Sequence, residues 1–487
     1  MFSATNKQRL SVNDFSEKSL KSLAFYAKII LECEKMKKTN DNMTMGSLPL
    51  NMLIFSIPLV FSNLLQILFN MCDIAVVGKF AGSLSLGAVG SAATLVTLFT
   101  GIIIGIGSGV NVLTARYLGE DAKDKVMKTV HSSLFICFFA GIILMICGIL
   151  FAKPMLRLFN TRADLLDGAA LYIRIYFLGM PALGIYNFGN AVLSAAGDTK
   201  KPLYYLSVAG VVNIILNLVL VIVFKLDVAG VAIASVAAQY VSAFLVLINL
   251  SGCNETYGLY RSSLHITADV AKKVLHLGLP TGFQFAIFAI ANLFVQMGIN
   301  SFSSEIVAGN AAASNADSIA YEVMAAIYMA CTSFMSRNYG AKKYERVIKS
   351  YFWGLAYSFA FAAIFGICML FFGKNFLSVF SGDPAVIAAG MDRIKIMSFS
   401  YCVSVFMDCS IAASRGLGKT IVPTAIVIMG SCVFRIVWIY TVFAYFKTIE
   451  SIYLLYIFSW ALTAVAEILY FVHIYRKMKE EISYEQH

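Results

Sequence analysis

Charge is what this sequence has least of. Only 13% of its 487 residues are Asp, Glu, Lys or Arg, against 59% hydrophobic, whereas soluble domains carry about a quarter charged residues. With a mean hydropathy of +0.77, a soluble fold could not hide so much apolar surface. Paired cysteine is lacking too. The ten cysteines form no CxxC pair, and Cys137, Cys147, Cys368 and Cys432 lie inside apolar runs, so they read as small buried hydrophobes and not as a disulfide framework or zinc site. The five histidines, His131, His265, His276, His473 and His487, show no ligand spacing, and a metal site would need such a cluster. No nucleophile, base or metal set converges, which argues against an intramembrane enzyme and against a cofactor. The net charge of +11 is scattered between apolar runs; a nucleic-acid partner would call for one continuous basic surface.

What is present is a series of apolar stretches of the length a membrane helix needs, about 20 residues. The predicted spans are 50–79, 84–115, 129–152, 164–196, 202–224, 229–250, 274–302, 306–336, 350–372, 385–414, 420–446 and 449–473. The fold class is thus an all-α polytopic membrane protein with twelve transmembrane helices in two six-helix bundles. Residues 1–45 are polar and lack the apolar core and cleavage site of a signal peptide; MKKTNDNMTMGSL from Met36 reads like an ordinary bacterial start. Assigning alternate connectors to opposite sides puts 27 of the 38 Lys and Arg on one side and 7 on the other. The positive-inside rule then sets both termini, with Arg116, Lys200, Lys201, Lys272, Lys273, Lys342 and Lys343, in the cytoplasm of a cell-membrane protein.

An internal repeat of about 221 residues organises the chain. Ser56, Ile57 and Pro58 are answered by Gly278, Leu279 and Pro280; the segment around Gly119 by that around Gly340; Phe159 by Phe380; GDTKKP from Gly197 by GKTIVP from Gly418. An even number of spans per unit leaves both copies in one orientation, related by an axis along the membrane normal, with a cleft between them. The expected division is a cytoplasmic tail over 1–47, a bundle over 48–251, a cytoplasmic linker over 252–273, a second bundle over 274–476 and a tail over 477–487.

Five carboxylates remain inside the spans: Asp73, Asp317, Glu322, Asp408 and Glu467. Each costs a few kcal/mol or more at bilayer depth, so each is a functional candidate, with a helix-to-helix hydrogen bond as the plain alternative. Asp73 stands apart by its company, because Asn63, Gln66, Asn70 and Asp73 recur at three- and four-residue spacing and share a helix face. Pro58 supplies a bend upstream, and Asn213 and Asn217, one turn apart, could line the same cavity. In the second half Gln284, Asn292, Gln296 and Asn300 repeat the stripe without the acid, and Val295 or Gln296 answers Asp73. Ion coupling is therefore expected in the first half, with Gln284, Asn292, Gln296 and Asp408 marking a possible cavity in the second. Arg174 and Lys395, at equivalent repeat positions, read as snorkelling side chains.

These motifs together, FNMCDIAVVGKF, ARYLGE, LSAAGDTKKP, GNAAAS, NYGAKK and ASRGLGKTIVP, resemble the multidrug and toxic compound extrusion (MATE) family from Leu48 to Lys477. The resemblance implies a V-shaped pair of bundles that alternates access and expels organic, mainly cationic, compounds in exchange for protons or sodium ions. It further implies that Gln66 and Asp73 match the family's first-helix cation site, Pro58 its bending proline and Asn213 its fifth-helix asparagine, while Ser235 stands where a threonine is common. Asn217 departs from the second aspartate of proton-coupled members, and the seventh-helix glutamate of several sodium-coupled members is missing from GLPTGFQFAIF. The expected partners are small organic molecules and membrane lipid, with the chain a monomer. A lipid-linked oligosaccharide flippase of the same superfamily is the rival; it would need a more cationic cavity than Arg174, Arg393, Lys395 and Arg435 provide.

Overall fold

The computed structural model describes residues 43–159 and 161–485, and every regular element among them is helical. The expectations for residues 1–42, the Met36 start included, lie outside the described residues. Helix α1 covers Leu48–Val76 and passes through a π turn, Val77–Ala81, into α2, Gly82–Gly119. At 1.5 Å per residue a straight helix from Leu48 to Gly119 would be about 108 Å long, far beyond a bilayer of about 30 Å. The chain breaks at Gly82, whose φ of +87° suits glycine. Then come α3, Lys123–Leu158, and α4, whose arms Ala163–Phe177 and Met180–Ala195 meet at 48°. Pro181 in the first turn of the second arm and Gly179, where a Cβ would stand 1.9 Å from Gln239 Oε1, account for that bend.

Helix α5, Lys200–Asn217, ends in a π turn, Leu218–Val223, and α6 is Asp227–Ser251. The second half supplies α7, Ala268–Ile299; α8, Ser304–Gly340; α9, Tyr344–Ser378; α10, Pro384–Gly416; α11, Ile421–Phe446, interrupted by π turns at Ile428–Val433 and Ile439–Phe443; and α12, Ile449–Glu485. The helices overrun the predicted spans at many ends, because a helix continues past the apolar core wherever its last turns find partners.

The repeat is visible in the backbone itself. Left-handed residues recur in pairs at equivalent connectors: Asp121 with Lys342, Gly197 with Gly418, Lys225 with Lys447. Asn111 Nδ2 donates to the Ala191 carbonyl, and at the equivalent positions Thr332 Oγ1 donates to that of Ala412, both at 3.1 Å.

The bundles meet along α1, α2, α7 and α8, and they exchange cores. Met52, Phe55 and Leu59 of α1 pack among residues of α8, α9, α10 and α12, while Val270, Val274 and Leu277 of α7 pack among those of α2 to α6. The α2–α7 crossing is so close that a Cβ on Gly105 would lie 2.2 Å from Gly282 N, and one on Gly109 2.6 Å from the Val274 carbonyl. Small residues let two backbones touch where no water drives association. One end of the seam is basic and tightly bonded: Arg116 covers the Tyr339 ring at 4.5 Å, Arg337 donates to the Ala195 carbonyl at 3.1 Å, and Lys343 and Arg346 donate to the carbonyls of Thr44 and Gly46.

Candidate functional site

Where α1 runs alongside α5, Gly210 leaves room for Phe69; a Cβ there would fall 1.7 Å from Phe69 Cζ. That approach brings Asp73, near the end of α1, against α5 and α6. Asp73 is buried, as are Asn213, Asn217 and Ser235. Asn217 Nδ2 donates to Asp73 Oδ1 at 2.5 Å and to Asn213 Oδ1 at 3.1 Å. Ser235 Oγ donates to Asp73 Oδ2 at 3.0 Å and accepts from Asn213 Nδ2 at 3.4 Å. The acid is therefore held by neutral donors from α5 and α6, with no cation paired to it among the described residues. A buried charge without a counter-ion is expensive, and hydrogen bonds offset only part of the cost.

One atom is left over. Asn217 Oδ1 is buried without a partner, an arrangement that usually has a functional or hydration reason. If the amide turns over, that oxygen faces Asp73 and can accept a hydrogen bond from the carboxyl once it is protonated; the oxygens of Asp73, Asn213, Asn217 and Ser235 are also the kind of ligands a hard monovalent cation takes. The arrangement can bind and release one positive charge.

The other expected residues do not join this cluster. Gln66 and Asn70 are exposed and make no side-chain hydrogen bond among the described residues; they share Asp73's helix stripe but sit two turns and one turn away, respectively. Asn63 donates to the Glu322 backbone carbonyl at 2.9 Å, a link from α1 to α8. Helix α1 stays continuous through Pro58, whose carbonyl accepts from Ser62 Oγ at 2.9 Å. In the second half the stripe does not form one cavity wall. Gln284 Oε1 accepts from Arg415 at 2.7 Å and from Thr424 at 3.5 Å, Asn292 Oδ1 accepts from Arg435 at 2.8 Å, and Gln296 bonds its neighbour Asn300 at 2.7 Å. Asp408 lies against Tyr328 and Arg415.

Sequence reasoning counted Arg393 and Arg435 only as residual charge, and the structure gives both a defined setting. Arg393 pairs with Asp317, which also accepts from Tyr401, and donates to Asn310 at 2.6 Å. Arg435 is 2% exposed and lies 4.7 Å from the Tyr456 ring centroid and 5.8 Å from that of Trp460. The missed signal was the aromatic spacing of Tyr453, Tyr456 and Trp460 on α12, which puts three rings on one face. Glu467, also on α12, is fully buried with both carboxyl oxygens unpartnered. Arg174 and Lys395 are exposed and lie near Asp167 and Asp392, as snorkelling side chains do.

Among the described residues, twelve helices in a tandem pair of six, most of them long and apolar enough to cross a membrane, with a buried acid in the first copy, define a polytopic membrane protein of the multidrug-transporter fold. The MatE family model matches residues 58–219 and 280–441, one match per repeat, and the chain belongs to that family. Among its relatives is YpnP of Bacillus subtilis strain 168, named a probable multidrug resistance protein, 25% identical over 368 residues, or 74% of this chain and 80% of the relative. Another is the protein named probable multidrug resistance protein NorM in Thermotoga maritima, 23% identical over 398 residues, 80% of this chain and 85% of the relative. Among solved structures, one described as the outward-facing conformation of a multidrug resistance MATE family transporter superposes with a TM-score of 0.84. It is 18% identical, covering 92% of this chain and all of that one.

Proposed function

We propose that this chain is a secondary exporter of organic, chiefly cationic, compounds, driven by antiport of a proton bound at Asp73. The observation that carries the reading is the buried acid of α1, held by neutral donors alone beside the unpaired Asn217 Oδ1. A carboxylate in such a setting favours neutralisation by a proton, and loading and release of that charge is the step an antiporter needs. A single carboxylate in the cluster favours a proton over sodium, which usually gathers more charged oxygen ligands.

The basic end of the seam is the cytoplasmic side in this reading, because the Lys and Arg bias of the connectors requires it. Contacts between the halves gather at that end, so the conformation is closed to the cytoplasm. The chain acts as a monomer in the cell membrane, without enzymatic activity or cofactor, on small-molecule substrates. Purified protein in liposomes, loaded with a fluorescent organic cation and given either a proton or a sodium gradient, tests the coupling. Proton-driven movement that Asp73→Asn abolishes is the expected result; sodium-driven movement, or an active Asp73→Asn, defeats it. Strong labelling of cysteines placed at Lys200 or Lys342 by an impermeant reagent in intact cells would reverse the topology.

A further inference from the structure

Among the described residues the second half holds two buried arginines, and one of them has a carboxylate partner. Arg393 has Asp317; Arg435 has no carboxylate within ion-pair distance among the described residues. Glu467, the buried acid of α12, forms no ion pair with it among the described residues, and both its carboxyl oxygens are unpartnered. Arg435 is caged by rings, its guanidinium carbon 5.3 Å from the Phe288 centroid, 4.7 Å from Tyr456 and 5.8 Å from Trp460. Those contacts satisfy the faces of the guanidinium but leave its edges.

Of the donors, Nη1 is used on Asn292. Nε is buried without a partner. Nη2 makes no hydrogen bond among the described residues. Nε and Nη2 form one edge of the planar fork, with the spacing that grips two oxygens of a carboxylate or phosphate. The backbone singles out the same place: the short helical piece Phe434–Trp438 that carries Arg435 is bracketed by π turns at Ile428–Val433 and Ile439–Phe443, and such turns gather at functional sites. A purely structural cation–π post would need no vacant fork.

We propose that Arg435 anchors the carboxylate or phosphate of an exported solute with an apolar aromatic body, so that acids and zwitterions are substrates as well as cations. This rests on the reading of the chain as a small-molecule exporter. It does not depend on Asp73, because binding at equilibrium needs no gradient.

The test is equilibrium binding of 2-naphthoate and its uncharged methyl ester to the full-length protein in phosphatidylcholine nanodiscs. Wild type binds the acid roughly tenfold more tightly than the ester, a difference of about 1.4 kcal/mol. Arg435→Gln loses that preference while keeping its affinity for the ester; Arg435→Lys keeps part of it, having charge without the fork. Asp73→Asn retains the full preference even though its transport is lost, which separates this proposal from the coupling reading. Equal binding of acid and ester by wild type overturns the proposal, whether or not the variants fold. So does a preference that survives in folded Arg435→Gln. A preference abolished by adding phosphatidylglycerol assigns the fork to a lipid headgroup and likewise overturns it.

Discussion

In the first bundle the polar centre is an acid surrounded by neutral donors; at matching positions of the second it is aromatic, with an arginine in its midst. Taking Pro58 with Pro280, Asp73 is answered by Val295; taking Pro202 with Pro423, Asn213, Asn217 and Ser235 are answered by Phe434, Trp438 and Tyr456. The backbone device is kept, since the π turn after Asn217 has its counterpart after Trp438. Repetition thus preserves the path of the chain while each copy sets its own charge. The fold's symmetry is a statement about packing, and the chemistry is asymmetric.

The largest expected effect comes from removing the acid. Asp73→Asn, isosteric with the native side chain, leaves folding and insertion intact and reduces gradient-driven export to the level of empty liposomes. Adding Val295→Asp to that variant does not restore export, because Phe434, Trp438 and Tyr456 offer no amide to hold a second acid. Restored transport in the double variant would show that the two centres are interchangeable and would break the comparison.

Next in size is the ion pair of the second bundle. Breaking a buried pair by removing one partner costs about 3–5 kcal/mol, since the other charge stays buried. Arg393→Met and Asp317→Asn should each lower the unfolding midpoint strongly in detergent. Arg393→Met/Asp317→Leu should cost less than the two singles together, which a double-mutant cycle reads directly. Strictly additive losses would mean that the pair does not act as a unit.

Much of the fold was legible in the sequence because its two strongest signals, apolar runs and a long repeat, are properties of whole segments. The site was legible in part. Asp73, Asn213 and Asn217 stood out because polar residues in an apolar helix have few reasons to be there, and the structure brings them together with Ser235. Gln66 and Asn70 satisfied the same periodicity yet stay outside the cluster, since a stripe spans several turns and a pocket occupies about one. Helical spacing gives direction around one axis; it does not tell which neighbour lies at which height. For the same reason the partnership of Asp317 with Arg393, 76 residues away in sequence, could not be read from either helix alone. The exchange of core residues between α1 and α7 left no sequence signal beyond the glycines at 105, 109, 278 and 282.

Those glycines give a smaller effect. Gly105→Ala puts a methyl group 2.2 Å from Gly282 N, and overpacking of this kind costs about 1–3 kcal/mol. Strain in the middle of the α2–α7 seam pushes the two halves apart, so spin labels at Lys123 and Lys349 should report longer distances in the variant. Gly90→Ala, with nothing within 4 Å of the added carbon, is the matched control. An unchanged distance distribution in Gly105→Ala would mean that the seam yields without opening.

The smallest expected effect sharpens the comparison most, because it separates residues that hold the acid from residues that only share its helix face. Ser235 Oγ donates to Asp73 Oδ2 at 3.0 Å, and a hydrogen bond of this kind contributes about 1 kcal/mol. Ser235→Ala removes one of the donors that hold the carboxyl group of Asp73. The pH profile of export should therefore move, by somewhat under one pH unit for a loss of about 1 kcal/mol, with the maximal rate little changed. Ser235→Thr keeps the hydroxyl and should keep the wild-type profile. Gln66→Ala should leave the profile where it is, since Gln66 makes no hydrogen bond to the cluster among the described residues. A shifted profile in Gln66→Ala with an unmoved one in Ser235→Ala would mean that the proton is handled from the exposed stripe of α1, and that the buried cluster serves only to hold α1 against α5 and α6.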